Sequence, residues 1–516
     1  MKKNPNLLWI TTIILGWLFD FLFWKQSFGI NFAIFAGLCL VGGFVLLWIN
    51  QHRIARGTLW LIPLILFFIA ITFVRAEPMT VFLGVVFTLF LMAVLANTFL
   101  GGRWFQYSLA DYVVGFFKLA SSAIVQPILF TIETRREQTE GGAKKFNFWP
   151  LMRGIVIAIP IVAIFAALLS SADAIFNHQF NEFLKLFFNL DNLPEYIFRL
   201  CYILFIAYAL AGIFLHASLN SKDEKLIGEE KPLIAQFFGF TETAIIMGSV
   251  IILFAAFVVV QFKYFFGGQA NINITGFTYA DYARRGFGEL VTVAFLSLLM
   301  ILGLNAITRR ENEAQRKSFS AMSIAIVALV MVMLVSAYQR LNLYEAAYGF
   351  SRLRTYTHVA LIWIGLLLIA VVVLEIIRCE RFITFALLIA SLGFAISLGI
   401  LNVDQLIARA NVSRAVQGHD LDVNYLASLS ADSVPTLVDD FLSPSFSTVT
   451  HEEIGAALMC HNFRYNSKGI SKDWRSFTFS QWNADNAMKT ISKQLTGYQI
   501  DSPEVHTPSH SVYDCY

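Results

Sequence analysis

The chain has 516 residues, of which 57% are hydrophobic, 15% aromatic and only 14% charged, with a formal net charge of +3. A soluble domain carries about 25% charged residues, so this deficit argues against a soluble protein and points to lipid as the main solvent. The small net charge, with no lysine and arginine run able to track a phosphate backbone, argues against nucleic acid as a partner.

The chain opens with MKKNPN ahead of LLWITTIILGWLFDFLFW. A basic end before an apolar run resembles a signal peptide, but bulky Phe21, Phe23 and Trp24 stand where a small-x-small cleavage site would lie. Leu7–Phe23 therefore reads as a retained first span. Crossing ~30 Å of hydrocarbon takes about 20 mostly apolar residues. By that test about eleven stretches qualify: Leu7–Phe23, Phe28–Ile49, Gly57–Val74, Met79–Phe99, Met152–Leu169, Ile197–Leu215, Ala244–Phe265, Phe287–Ile307, Ser320–Ala337, His358–Ile377 and Phe382–Leu401. The segment Ser108–Thr131 carries Asp111, Lys118 and Pro127. It is expected to lie in the membrane interface as a helix over 108–131, with a buried or re-entrant helix as the competing reading.

Basic residues in the loops set the expected orientation. With Lys2 and Lys3 cytoplasmic, so are Arg53 and Arg56, then Arg135, Arg136, Lys144 and Lys145. Lys222, Lys225 and Lys231 follow, then Arg309, Arg310, Arg316 and Lys317, and finally Arg378 and Arg381. An odd number of spans then puts the C-terminus outside the cytoplasm. The fold class is thus all-α: a polytopic transmembrane helical bundle over 1–401, followed by a small, mostly helical extracytoplasmic region over 402–500. Helix signals there include Ser433 with Pro435, Thr450 with Glu453 as a capping box, and Asn483 as a start before a stop near Gly497. Residues 501–516, ending TPSHSVYDCY, read as a disordered tail. Cys39 and Cys201 fall within spans and Cys379 at the cytoplasmic face, whereas Cys460 and Cys515 fall outside. There a disulfide or two free thiols are both admissible.

Polar chemistry concentrates at the outer mouth. GFTYADYARRGF, Gly276 to Phe287, precedes one span, and YQRLNLYEAAYGFSRLRTYTH, Tyr338 to His358, lies between two others. On a helix, Asp281 is within reach of Arg284 and Arg285, and Tyr279 and Tyr282 share a face. Tyr344 and Tyr348 are one turn apart, and Gly349 suits a helix stop before Arg352 and Arg354. Arginine on this side needs partners, for which Asp281, Glu289 and Glu345 are candidates. The candidate cluster is therefore Tyr279, Asp281, Tyr282, Arg284, Arg285, Arg340, Tyr344, Glu345, Tyr348, Arg352 and Arg354. Two readings stand: structural ion pairs within a tyrosine belt, or a site where guanidinium groups hold an anionic headgroup, sugar phosphate or peptide carboxylate.

Charge deep in the spans is scarce, with Gln261 and Asn305 polar but uncharged and Pro160 a point of kinking. No GxxxxGK[ST] loop, H-E-x-x-H pair or GxSxG elbow occurs. His451, Glu452, Cys460 and His461 read as part of a capped amphipathic helix rather than a metal site. No cofactor, metal or catalytic residue is expected.

The stretches LFDFLFWKQSFGINFAIF, LLSSADAIF, GFTYADYARRGF and LYEAAYGFSRLRTYT, with LNVDQLIARANVSRA and DLDVNYLASLSADSVPTL in the tail, resemble a family of polytopic bacterial membrane proteins, domain of unknown function four-one-seven-three, related to four-one-five-three. The resemblance implies a bacterial inner-membrane protein and carries over motif positions without roles: Asp173, Tyr279, Tyr282, Arg284, Arg285, Tyr348, Gly349, Arg352, Arg354, Asn402 and Asp404. Function is expected to be that of a non-enzymatic cell-envelope sensor or assembly factor engaging membrane lipids, an anionic headgroup or an envelope protein. The alternatives are a transporter or lipid flippase, and an interfacial transferase acting on a lipid-linked substrate.

Overall fold

A computed structural model describes residues 5–140, 193–222, 226, 236–265, 287–467, 473–501 and 503–515, with scattered residues between 158 and 180. Among the described residues eleven helices are long and apolar enough to cross a membrane. The chain is an all-α, multi-pass membrane protein.

The helices are α1 (Pro5–Phe23), α2 (Ile30–Ile49), α3 (Leu61–Val74), α4 (Pro78–Thr98), α5 (Leu109–Glu140), α6 (Leu193–Leu219), α7 (Phe240–Phe265), α8 (Phe287–Ile307), α9 (Glu313–Tyr348), α10 (Arg352–Ile376) and α11 (Ile383–Leu401). The span-like part of α5 is Leu109–Thr134. The segment expected in the interface thus has the length and apolarity of a span, and it takes the place in the count that Met152–Leu169 was expected to hold. That stretch, with Pro160, falls mostly outside the described residues. Asp111 does not burden the apolar part of α5, because it sits in the first turn and accepts the Ser108 backbone N–H and hydroxyl, each at 2.8 Å. Arg135 and Arg136 come at the opposite end of α5 from Leu109.

The chain divides into two compact units. The smaller comprises residues 1–24, 38–53 and 118–220. In it α1 packs along α6, with Gly16 against the Ile203 carbonyl, and Arg199 and Tyr202 hydrogen-bond the buried Asp20 carboxylate.

The larger unit comprises 25–37, 54–117 and 221–516. Its helices leave two distinct ends. At one end Ala55 bonds to Phe99 and Gly101 to Ser221, and Arg381 donates to the Gln106 carbonyl at 3.1 Å. Arg310 pairs with Glu375 at 3.0 Å, and Arg378 with Glu313, at the same end. At the other end lie the turns 25–30, 75–77 and 349–351 and the close of α11, and the C-terminal region is built on them.

That region starts without a linker. Asn402 adopts φ 49°, ψ 72°, a left-handed conformation that Asn tolerates better than most residues, and so turns α11 directly into α12 (Val403–Val416). Next come α13 (Val423–Ser428), α14 (Val434–Leu442), α15 (Thr448–Ser467) and α16 (Phe479–Ile491). Ser433 and Pro435 stand at the start of α14 as expected. The start of α15 is instead set by Ser447, whose hydroxyl accepts the Thr450 N–H at 3.2 Å, and α16 begins at Phe479, capped by Thr478, rather than at Asn483. The core of the region gathers Ile407, Leu426, Val434, Leu437, Ile454, Leu458 and Ile491, all at most 1% exposed.

The last residues, expected to be disordered, form a three-stranded antiparallel sheet: β1 (Gln499–Asp501), β2 (Glu504–His506) and β3 (Val512–Asp514). Strands of three residues are marginal by themselves. Here a Cys460–Cys515 disulfide ties the sheet's end to α15, with Cα atoms 5.0 Å apart, and Val505 is fully buried. Cys460 is therefore not available as a metal ligand, and no His/Cys/Asp/Glu cluster able to hold a metal occurs among the described residues.

Candidate functional site

Two short turns between spans carry contacts that seat the C-terminal region. The first is Arg75-Ala76-Glu77, ahead of Pro78. Pro78 opens α4 where its missing N–H costs nothing, and Glu77 caps the helix, accepting the N–H of Met79 at 2.9 Å and of Thr80 at 2.7 Å. The same carboxylate accepts the Tyr356 hydroxyl from α10. Asp432, in the turn before α14, accepts the backbone N–H groups of Ala76 (2.8 Å) and Glu77 (2.9 Å), and Arg75 Nε donates to the Gly399 carbonyl at 3.0 Å.

The second turn, Gly349 to Ser351, joins α9 to α10. Gly349 has φ +81°, where an L side chain is strained, and a Cβ there would lie 2.7 Å from both Asn411 Oδ1 and Arg414 Nη1. The absent side chain lets α12 approach. Asn411 closes a pair of hydrogen bonds on Phe350, accepting its N–H at 2.7 Å and donating to its carbonyl at 2.9 Å. Arg352 then meets Asp404 in a two-pronged pair, Nε to Oδ1 at 2.7 Å and Nη2 to Oδ2 at 2.6 Å, with Asp404 fully buried. The Ser430 N–H adds a third donor to Asp404 at 2.6 Å, and the Arg352 backbone N–H donates to the Tyr425 hydroxyl at 2.8 Å. Burial raises the Tyr425 hydroxyl's pKa, which keeps it protonated.

Beside this seat is a cavity of about 170 Å³ lined by Tyr348, Phe350, Ser351 and Arg354 from the turn and by Asn411, Arg414, Asp420, Leu421, Asp422 and Tyr425 from the C-terminal region. It has room for a small polar group and is well below the ~300 Å³ at which sites for drug-sized ligands begin. Arg354 donates to the Gly349 carbonyl and lies 4.0 Å over the Tyr344 ring. Arg414 donates to the Ala346 and Ala347 carbonyls at 2.8 and 3.2 Å. Both guanidinium groups thus sit at the C-terminal end of α9, where exposed carbonyls favour cations. Among the described residues neither makes an ion pair, and the buried Arg414 Nε has no hydrogen-bond partner. Burial, and then the neighbouring charge of Arg354, depress the pKa of Arg414. Asp420 and Asp422 give the cavity a second, negative side; Asp422 also caps α13 through the Tyr425 N–H at 2.9 Å.

The expected cluster divides accordingly. Tyr279, Asp281, Tyr282, Arg284 and Arg285 lie outside the described residues. Arg352 is paired, but with Asp404 rather than with Asp281, Glu289 or Glu345. Glu345 is buried and bonded to His358 Nε2 at 2.8 Å. Arg340 is buried in α9 and donates to Gln261 Oε1 at 2.6 Å. Tyr344 packs edge-on against Tyr348, which with Arg354 lines the cavity. Sequence reasoning missed Glu77, Asp432, Asn411 and Arg414. The signal for Glu77 was legible: a glutamate directly before Pro78, in a charged three-residue gap between two apolar runs.

Compared with known proteins, the chain matches the domain of unknown function DUF4153 over residues 61–439, which takes in both halves of this site. No curated protein and no solved structure matches.

Proposed function

The chain belongs to the DUF4153 family, and on that premise we propose that it is a non-enzymatic sensor or assembly factor of the bacterial inner membrane, with its N-terminus in the cytoplasm and its C-terminal region outside. The observation that carries the reading is the pair Arg354 and Arg414, one from an inter-span turn and one from the C-terminal region, converging on one cavity without a carboxylate partner among the described residues. A phosphate or carboxylate held there touches the bundle and the C-terminal region together, and therefore alters how firmly they are joined. Asp420 and Asp422 favour a ligand that also bears an amine, as an amino acid or a phosphoethanolamine headgroup does.

Two observations support the orientation. Among the described residues of the larger unit, the end away from the C-terminal region carries nine basic residues, Arg56, Arg103, Lys222, Arg309, Arg310, Arg316, Lys317, Arg378 and Arg381, against four at or beside the inter-span turns of the other end, Lys25, Arg75, Arg352 and Arg354. A Cys460–Cys515 disulfide also suits an oxidising compartment. A carrier would draw on polar groups in the spans, yet Gln261 and Asn305 are engaged by Arg340 and Arg310.

The test is a thermal-shift titration of the detergent-purified full chain with inorganic phosphate and with O-phosphoethanolamine. A rise in Tm that is larger for phosphoethanolamine and lost in Arg414→Gln supports the reading. No rise with either probe, or the same rise in Arg414→Gln, overturns it.

A further inference from the structure

The C-terminal region presents an aromatic edge that the Arg352–Asp404 seat and the cavity do not use. Trp474, Phe477, Phe479 and Trp482, four large rings within nine residues, are 56%, 37%, 44% and 50% exposed. Phe479 and Trp482 lie one turn apart at the start of α16, their ring centres separated by 5.5 Å, while Ser480, Ala484 and Ile491 of the same helix are buried. Singly exposed apolar residues are ordinary, whereas a cluster of this size marks a surface with something to meet.

The position of the edge identifies what it meets. The Phe477 carbonyl accepts the N–H of Ile30 at 2.8 Å, and the Ser476 hydroxyl donates to Gln26 at 2.9 Å. Ile30 is the first residue of α2, whose 20 mostly apolar residues span about 30 Å at 1.5 Å each, the thickness of the hydrocarbon layer. A segment bonded to the first turn of such a helix is held at the boundary between hydrocarbon and headgroups. The contact is close: a Cβ on Gly29 would fall 2.7 Å from the Phe477 carbonyl oxygen. Phe28, 56% exposed in the same turn, continues the apolar surface. Trp is the side chain that this boundary favours, its ring in the acyl region and its N–H toward water.

We propose that residues 474–482 are a membrane-interface anchor: the C-terminal region rests its aromatic edge in the headgroup–acyl boundary of the leaflet on its own side of the membrane. The occupant is lipid, whatever the Arg354–Arg414 cavity holds.

The experiment uses the full chain in nanodiscs holding one copy, made of phosphatidylethanolamine and phosphatidylglycerol brominated either near the carbonyl or near the chain end. The chain has ten tryptophans, so the emission of these two is isolated by subtracting Trp474→Phe, Trp482→Phe and the double variant from the wild type. The expected result is that this emission is quenched more by shallow than by deep bromine and is shielded from aqueous iodide. Emission quenched by iodide and untouched by bromolipid overturns the proposal, as does emission shielded from both, which would mean that protein covers the rings. Should the double variant not fold, each single variant reports its own indole with the same three outcomes.

Discussion

Arg352 and Asp404 are joined by two parallel hydrogen bonds of 2.7 and 2.6 Å, one residue opening a membrane-spanning helix and the other in the first helical turn of the C-terminal region. Removing one partner of such a pair leaves a charge in a poorly solvated place, at a cost of about 3–5 kcal/mol, whereas replacing both by apolar groups is far milder. Because the arginine is about a quarter exposed, the lower part of that range applies. Asp404→Asn is expected to lower the Tm of the purified protein by several degrees and to expose the junction near Arg409 to trypsin. Arg352→Met with Asp404→Leu should recover much of the loss. An Asp404→Asn protein with unchanged Tm and trypsin pattern would contradict this role.

Gly349 is expected to be nearly irreplaceable. Its φ of +81° and the two side-chain atoms 2.7 Å from any added Cβ both oppose a larger residue. Gly349→Ala should cost about 1–3 kcal/mol from the backbone conformation, before any displacement of Asn411 and Arg414. The check is thermal unfolding together with phosphoethanolamine titration, which should show a lower Tm and a weakened response.

Reduction should loosen the terminal sheet. The bond between Cys460 and Cys515 closes a loop across 55 positions, a constraint worth about 2–5 kcal/mol in a small domain. In denatured, unreduced protein a maleimide reagent should modify three of the five cysteines, Cys39, Cys201 and Cys379, and reach all five only after reductant. Hydrogen exchange in residues 499–514 should rise in Cys515→Ser.

Acid should loosen the same sheet. Burial works to raise the Glu452 pKa, but the Ser509 and Thr507 hydroxyls bonded to its carboxylate outweigh it and hold the group below the usual range. Its contribution is therefore fully present above the ordinary glutamate value, near 4.5, and is lost as pH falls through the depressed value. Hydrogen-exchange protection in 504–511, taken relative to the intrinsic rate at each pH, should fall below about pH 4.5 in the wild type, and Glu452→Gln should show that lower protection already at neutral pH.

What could be read from the chain alone followed the physics of each element. Long apolar runs announce spans because lipid demands them, and Gly349 announced a helix stop because few residues tolerate its backbone. Ser108–Thr131 was less legible. Asp111 looks like a charge within an apolar run until it is seen to cap the helix start with Ser108. The strands at 499–514 were invisible, since three-residue strands show no alternation and their stability comes from Cys460 on a distant helix. The seat of the C-terminal region was hidden for a related reason: Arg352 and Asp404 are 52 positions apart, and Asp432 is 356 from Ala76. Nothing local in either partner names the other.

The most direct test of the account is the sidedness of the two ends. In a protein whose Cys39, Cys201 and Cys379 are serine, single cysteines are introduced at exposed Ser445, in the C-terminal region, and at exposed Glu311, at the opposite end. A membrane-impermeant maleimide applied to intact bacterial cells stripped of their outer membrane should label Ser445→Cys at once and Glu311→Cys only after lysis. Labelling of Glu311→Cys in intact cells, with Ser445→Cys reached only after lysis, would contradict an extracytoplasmic C-terminal region.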